Sequence, residues 1–271
     1  LMKIYESYGY TTREAVASIV KNNIYGLDID NRAAQLAYFS VMMKARQYDR
    51  RFFSLGIQPH VYAIGESNHV DKFAVEYFCN GDVELKDAID TIIKELYDAK
   101  EYGSILTVTP QNWSVLCNRF SEIEEDIHIF RETALKELWS LVQVAEVLAQ
   151  KYDVVVTNPP YMLMNNADEK LYSLAQTKYP DSKSDLYAIF IERCLFFAKN
   201  YKFFALITMQ SWMFTASFEN LREKLFETSI VNMAHLGARA FEEIGGEIVQ
   251  TSAFIMRNVK IDDYAGTYVK L

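Results

Sequence analysis

Apolar residues along this 271-residue chain change their period several times, and each change marks an element. Over 13–20 they recur at helical spacing. Residues 23–30 read as a strand ending in the acidic pair Asp28 and Asp30. An amphipathic helix is predicted over 32–52, with Ala33, Leu36, Ala37, Ser40 and Val41 on one stripe. A second strand over 60–64 closes at Gly65-Glu66-Ser67-Asn68. That is a β-α-β unit, the building block of a parallel sheet. From about 70 to 150 the period is helical throughout. Leu85, Ala88, Ile89, Ile92, Ile93 and Leu96 form one stripe; Leu135, Leu138, Trp139, Val142 and Ala145 form another. We read this as a helical insert. The strand-helix rhythm resumes at 152–157, a β-branched run predicted to be a buried strand. A loop over 162–184, a helix over 185–199, a strand over 203–209 and a helix over 218–227 follow. Strands over 231–236 and 248–256 come last. The predicted fold is α/β, a mostly parallel sheet with helices on both faces.

The turn after 152–157 adds chemistry. Asn158-Pro159-Pro160-Tyr161 stops the strand, because neither proline can donate a ladder hydrogen bond and each restricts φ. An Asn and a Tyr are thereby held on a rigid turn at the carboxyl end of a strand, where open α/β sheets place their ligands. The Asn158 amide oxygen and the backbone carbonyls offer acceptors, and Tyr161 offers a flat aromatic face. The set suits a planar ring with an exocyclic NH2 group. Asp28 at another strand end suits bidentate bonding to ribose hydroxyls, while Asp30 suits a helix N-cap.

Composition narrows the picture. Half the residues are apolar and 24% are charged, as in ordinary globular proteins. A net charge of −8 argues against a free-standing nucleic-acid binder, which carries a basic face. Cys79, Cys117 and Cys194 lack C-x-x-C spacing, and His60, His69, His128 and His235 form no ligand pattern. Structural thiols and no metal are expected. The carboxylates of 122–126 read as a solvated face. No apolar stretch reaches about 18 residues and no secretory segment opens the chain, so a soluble, cytoplasmic protein is expected.

These stretches together resemble the catalytic domain of the amino-type adenine-N6 DNA methyltransferases, and within them the PglX methyltransferases of BREX phage-defence systems, relatives of restriction-modification methylases. The resemblance is carried by 24–30, by 152–161, by Asp185-Leu186-Tyr187-Ala188-Ile189-Phe190-Ile191-Glu192, by Ile207-Thr208-Met209-Gln210-Ser211-Trp212-Met213-Phe214, and by 234–246. It covers most of 20–70 and 150–258. It implies a Rossmann-like sheet, S-adenosylmethionine as methyl donor and double-stranded DNA with a flipped adenine as acceptor, with other defence proteins as further partners. Asp28 would bind the donor ribose, Ile29 would pack on its adenine, Glu66 would lie near the adenine amino group, and Phe190 would line that pocket. Asn158, Pro159, Pro160 and Tyr161 would form the catalytic turn. Tyr161 and Phe241 would stack on the target base.

The family carries a glycine-rich turn after its first strand, whereas residues 1–22 contain only Gly9. The chain is therefore expected to be part of a larger catalytic domain, without that strand and without the target-recognition region, and inactive in isolation. A restriction-modification methylase with a fused nuclease shares the same blocks. Protein-glutamine and ribosomal-RNA amine methyltransferases share the Asn-Pro-Pro-Tyr turn. A non-catalytic module that senses DNA or phage proteins is a third alternative.

Overall fold

The computed structural model describes residues 1–237 and 250–271, and the chain divides into two compact units, 1–149 and 150–271. The first begins with α1 (Met2–Ser7) and α2 (Thr12–Asn22). The Thr11 hydroxyl accepts the Glu14 N–H while the Glu14 carboxylate accepts the Thr11 N–H, a capping box that starts α2. Next come β1 (Tyr25–Asp28), α3 (Asn31–Tyr48) and β2 (His60–Ala63). The two strands pair in parallel, Tyr25 with His60 through Asp28 with Ala63, so the predicted β-α-β unit is present.

The insert is helical, as its period predicts: α4 (Lys72–Cys79), α5 (Val83–Glu95), α6 (Ala99–Tyr102), α7 (Trp113–Ile123), α8 (Arg131–Thr133) and α9 (Trp139–Ala149). A π-helical turn, Ala134–Leu138, joins the last two. Leu85, Ala88, Ile89, Ile92, Leu96, Leu138, Val142 and Ala145 are buried, which bears out both stripes. The stripe on α3 is different. Leu36 is 66% exposed, and the buried positions there are Ala34 and Ala45, the latter packed with Val16, Val20 and Phe52.

The second unit contains β3 (Tyr152–Thr157), α10 (Glu169–Lys178), α11 (Leu186–Phe197), β4 (Ala198–Met209), α12 (Glu219–Leu225), β5 (Ser229–Gly237), β6 (Thr251–Arg257) and β7 (Thr267–Lys270). Its strands form one sheet in the order β3-β4-β6-β5-β7. β3 runs parallel to β4 and β5 parallel to β7, while β6 is antiparallel to both β4 and β5. Phe204, Leu206, Phe254 and Met256 on one face of this sheet pack against Tyr187, Ile191 and Cys194 of α11 and Leu221 of α12. Asp30, Asp71, Asp82, Asp168 and Asp185 each accept a backbone N–H at a helix N-terminus, which uses part of the acidic surplus in local structure.

Several expectations change here. The described strands of the second unit form a mixed sheet, with β6 antiparallel to β4 and β5, where a mostly parallel arrangement was expected. β3 is a strand but not a buried one: Val154 and Val156 are 59% and 72% exposed, while Val155, on the opposite face, packs against the core of the second unit. The predicted 162–184 loop contains α10, which buries only Leu171 and Ala175, too narrow a stripe to declare itself by period. The predicted strand over 248–256 begins at Thr251 among the described residues, and β7 was not anticipated.

Candidate active site

In the first unit Asp28 is the last residue of β1 and lies opposite Ala63 at the end of β2. One Asp28 carboxylate oxygen accepts the Asp30 N–H at 2.9 Å, leaving the second as an acceptor on an exposed side chain. Asp30 accepts the Arg32 N–H at 2.8 Å and serves as the N-cap of α3. Ile29 is half exposed and its Cδ1 lies 3.7 Å from where a Cβ at Gly103 would stand; Gly103 has φ +64°, a conformation open to glycine. Glu66 is partly buried on the turn that follows β2.

That turn is fastened to the insert. Ser67 N–H donates to the Leu96 carbonyl at 3.1 Å and the Ser67 hydroxyl to the Ile93 carbonyl. Asn68 Nδ2 donates to Asp98 at 2.6 Å, and the Asp98 N–H returns to Asn68 Oδ1 at 2.8 Å. The helical insert thus positions the segment carrying Glu66. Asn68 and Asp98 carried no sequence signal, because they are 30 residues apart.

In the second unit the strand directions place the carboxyl ends of β3, β4 and β5 on one edge, together with the start of β6. Asn158 is exposed there, Pro159 is buried, Pro160 is exposed and Tyr161 is half-buried. The Tyr161 hydroxyl donates to the Ile207 carbonyl at 3.2 Å, and its ring meets Tyr187 edge-on with centroids 6.1 Å apart. Burial raises the Tyr161 phenol pKa, so the hydroxyl stays protonated as a donor. Phe190 is half-buried against the same core. Phe241 lies outside the described residues.

Asp185 holds the far end of the turn. Its Oδ1 accepts N–H groups of both Met162 and Tyr187 at 3.2 Å, and the Leu186 N–H donates to the Met162 carbonyl at 2.9 Å. The signal was available, since an Asp directly before an apolar helix is an N-cap. Its second contact, to Met162, is tertiary. Burial raises the Asp185 pKa, against three backbone hydrogen bonds that lower it. A raised acid pKa adds stability below the unfolded value, near 3.9; that contribution is lost as pH rises through the folded value. Asp185→Asn keeps the acceptor and removes the charge, so it should melt within about 0.5 kcal/mol of the parent and flatten the pH–stability curve above the unfolded carboxyl value. Asp185→Ala should lose about 1–2 kcal/mol. Thermal melts across that pH range check both.

A polar chain crosses the same edge. His235 Nε2–H donates to Gln210 Oε1 at 2.6 Å, and Gln210 Nε2 donates to Gln250 Oε1. Trp212 Nε1, His235 Nδ1 and Ser252 Oγ are buried nearby with no hydrogen-bond partner among the described residues. Gln210 and His235 stand in conspicuous sequence blocks, but their pairing across 25 residues is visible only in three dimensions.

Residues 22–241 match the Eco57I restriction-modification methylase family. The chain belongs to that family. It is 39% identical over its whole length to the adenine-specific methyltransferase PglX of Lacticaseibacillus casei (strain Zhang), of which it covers 23%. It is 37% identical to the adenine-specific methyltransferase BrxX of Escherichia coli O9:H4 (strain HS), again over the whole chain, covering 25% of that protein. Among solved structures it resembles the Type IIL restriction-modification enzyme MmeI in complex with DNA, at 11% identity and a TM-score of 0.43, covering 96% of this chain and 35% of that one. The chain thus spans about a quarter of the length of the curated relatives it matches. The Eco57I-type match includes both groups of site residues, Asp28 to Glu66 and Asn158 to Phe190.

Other features lie away from these groups. Cys79 and Cys194 are buried, Cys117 is partly buried, and all three are free thiols. Burial pushes the Cys194 pKa up to about 12, far from a reactive thiolate. Among the described residues no group of three or more His, Cys, Asp or Glu is placed to hold a metal ion, and no helix is long and apolar enough to cross a membrane.

Proposed function

We propose that this chain is part of the catalytic domain of an adenine-N6 DNA methyltransferase of phage defence, using S-adenosylmethionine. The observation that carries the proposal is the exposed Asn158 on a turn held at both ends, by β3 on one side and by Asp185 and the Ile207 carbonyl on the other. The donor fits the residues present. The free Asp28 oxygen suits a ribose hydroxyl, the half-exposed Ile29 suits one face of a purine, and Glu66 suits its amino group. When bound, the donor supplies an electrophilic methyl group. The resemblance assigns its methionine end to a glycine-rich turn, and Gly9 is the only glycine before β1.

The chain's own part is positioning. Adenine N6 is a weak nucleophile because its lone pair is delocalised into the ring. The Asn158 amide oxygen and the Pro159 carbonyl accept its two N–H groups, which favours a pyramidal nitrogen with the lone pair directed outward. These dipoles also stabilise the positive charge that grows on N6. The reacting amine is hidden inside a duplex, so the base must be extruded at a cost of a few kcal/mol. Stacking on the Tyr161 ring offsets about 1–3 kcal/mol of it. The Tyr161 hydroxyl, tied to Ile207, fixes the ring plane in advance. Phe241 is the second stacking residue in this reading.

The test is nucleoside analysis of DNA incubated with full-length protein and S-adenosylmethionine, where N6-methyladenine is expected. Methylation of cytosine alone, or of release factor or ribosomal RNA in place of DNA, would overturn the proposal.

A further inference from the structure

The helical insert carries a surface that the methyl-transfer reading does not use. The loop between α7 and α8 raises Ile127 and Ile129 to 100% and 85% exposure, beside Phe73 of α4 at 62%. Below them lies a groove of about 510 Å³, lined by Phe73, Tyr77, His128 and Phe130 among others. Phe73 stacks on Phe130 with centroids 5.6 Å apart, and Tyr77 stacks on His128 at 4.1 Å. Such a cluster of solvated aliphatic and aromatic side chains is unusual on a surface with no partner.

The loop is held in this shape by its own bonds. The Tyr77 hydroxyl donates to Asp126 at 2.6 Å, the Asp126 carboxylate accepts the Ile127 N–H at 2.7 Å, and Arg131 Nε donates to the Glu124 carbonyl at 3.0 Å. The isoleucines are therefore presented in advance, which lowers the ordering cost of an encounter. Charge selects the occupant. Glu122, Glu124, Glu125 and Asp126 are all exposed around the apolar patch. The nearby Arg119 is engaged with Glu122 at 3.0 Å and with the Phe78 carbonyl at 2.7 Å. The rim repels a phosphate backbone and attracts cations.

We propose that this loop and groove dock a segment of another protein that sets apolar side chains on Ile127, Ile129 and Phe73 and lysine or arginine side chains against the carboxylate rim. The surface lies in the insert, and its use is independent of the methyl-transfer turn.

The experiment places a photoreactive benzoylphenylalanine at Glu125 of the full-length protein in its native cell, with the same residue at exposed Lys100 as control. The crosslinked segment is sequenced, and a synthetic peptide copying it is titrated onto purified full-length protein. The expected segment mixes apolar residues with lysine or arginine. Its peptide should bind at least tenfold more weakly to I127D/I129D and to E124K/E125K. Methyl transfer to DNA by both variants should stay within twofold of the parent, and their thermal melting should be unchanged because every substituted position is exposed. Four results would overturn the proposal: no adduct above the Lys100 control, adducts only with a second copy of this protein, adducts with nucleic acid, or a peptide whose affinity ignores both variants.

Discussion

Asn158→Ala in the full-length protein is expected to abolish methylation of adenine while leaving affinity for S-adenosylmethionine within about twofold. The side chain is exposed at the turn after β3, so its removal costs the fold little. In the proposed mechanism it accepts an N–H of the reacting amine, and that interaction strengthens as charge develops on nitrogen. Removing one such preorganised group typically lowers turnover by about 10²–10³-fold. Tyr161 separates two effects at one position. Tyr161→Ala removes the stacking ring and should weaken engagement of the flipped base by about 1–3 kcal/mol. Tyr161→Phe keeps the ring and loses only the bond to the Ile207 carbonyl, worth about 0.5–1.5 kcal/mol of stability, so its turnover should fall mildly. Phe241→Ala should fall between them. Methyl incorporation into DNA by each variant, with melting to confirm folding, decides the matter. Wild-type turnover by Asn158→Ala, or a Tyr161→Phe as inactive as Tyr161→Ala, would remove the turn from the mechanism.

The second large effect is on the donor. Asp28→Ala in the full-length protein should weaken S-adenosylmethionine binding by about 2–4 kcal/mol, roughly 30- to 1000-fold, because charge-assisted bonds to the ribose hydroxyls are lost. Asp28→Asn should fall between, since an amide oxygen still accepts but carries no charge. The Asp28 bond to the Asp30 N–H helps start α3, so a melt must accompany the titration. An Asp30→Ala control should cost about 1 kcal/mol of stability as a lost N-cap and leave donor affinity nearly unchanged. Calorimetry on the three variants distinguishes a donor ligand from a structural cap. Equal losses at Asp28 and Asp30 would mean that Asp28 acts through the turn and touches no ligand. The Asn158 and Asp28 variants are also informative as a pair, one silent in donor binding and the other not.

Some of this protein is written in local chemistry, and there the sequence sufficed. Two prolines restrict their own φ whatever surrounds them, so the end of β3 and the turn bearing Asn158 were legible. An Asp before an apolar helical run caps it through its own neighbours, so Asp30 and Asp185 could be placed at helix starts. The stripes of the insert were legible because both are wide and mostly buried. What the sequence could not decide is which faces are covered. The run Val154-Val155-Val156 specifies an extended strand, but only packing decides that Val155 faces the core of the second unit while Val154 and Val156 are exposed. On α3 the apolar period includes Leu36, yet the packing of α2 buries Ala45 and leaves Leu36 in solvent. The tie from Asp185 to Met162, the chain from His235 to Gln250 and the bond between Asn68 and Asp98 each join residues 15 or more positions apart. Such contacts exist only once the strands and helices have packed, because burial and pairing are set by neighbours in space, and a one-dimensional period records only neighbours along the chain.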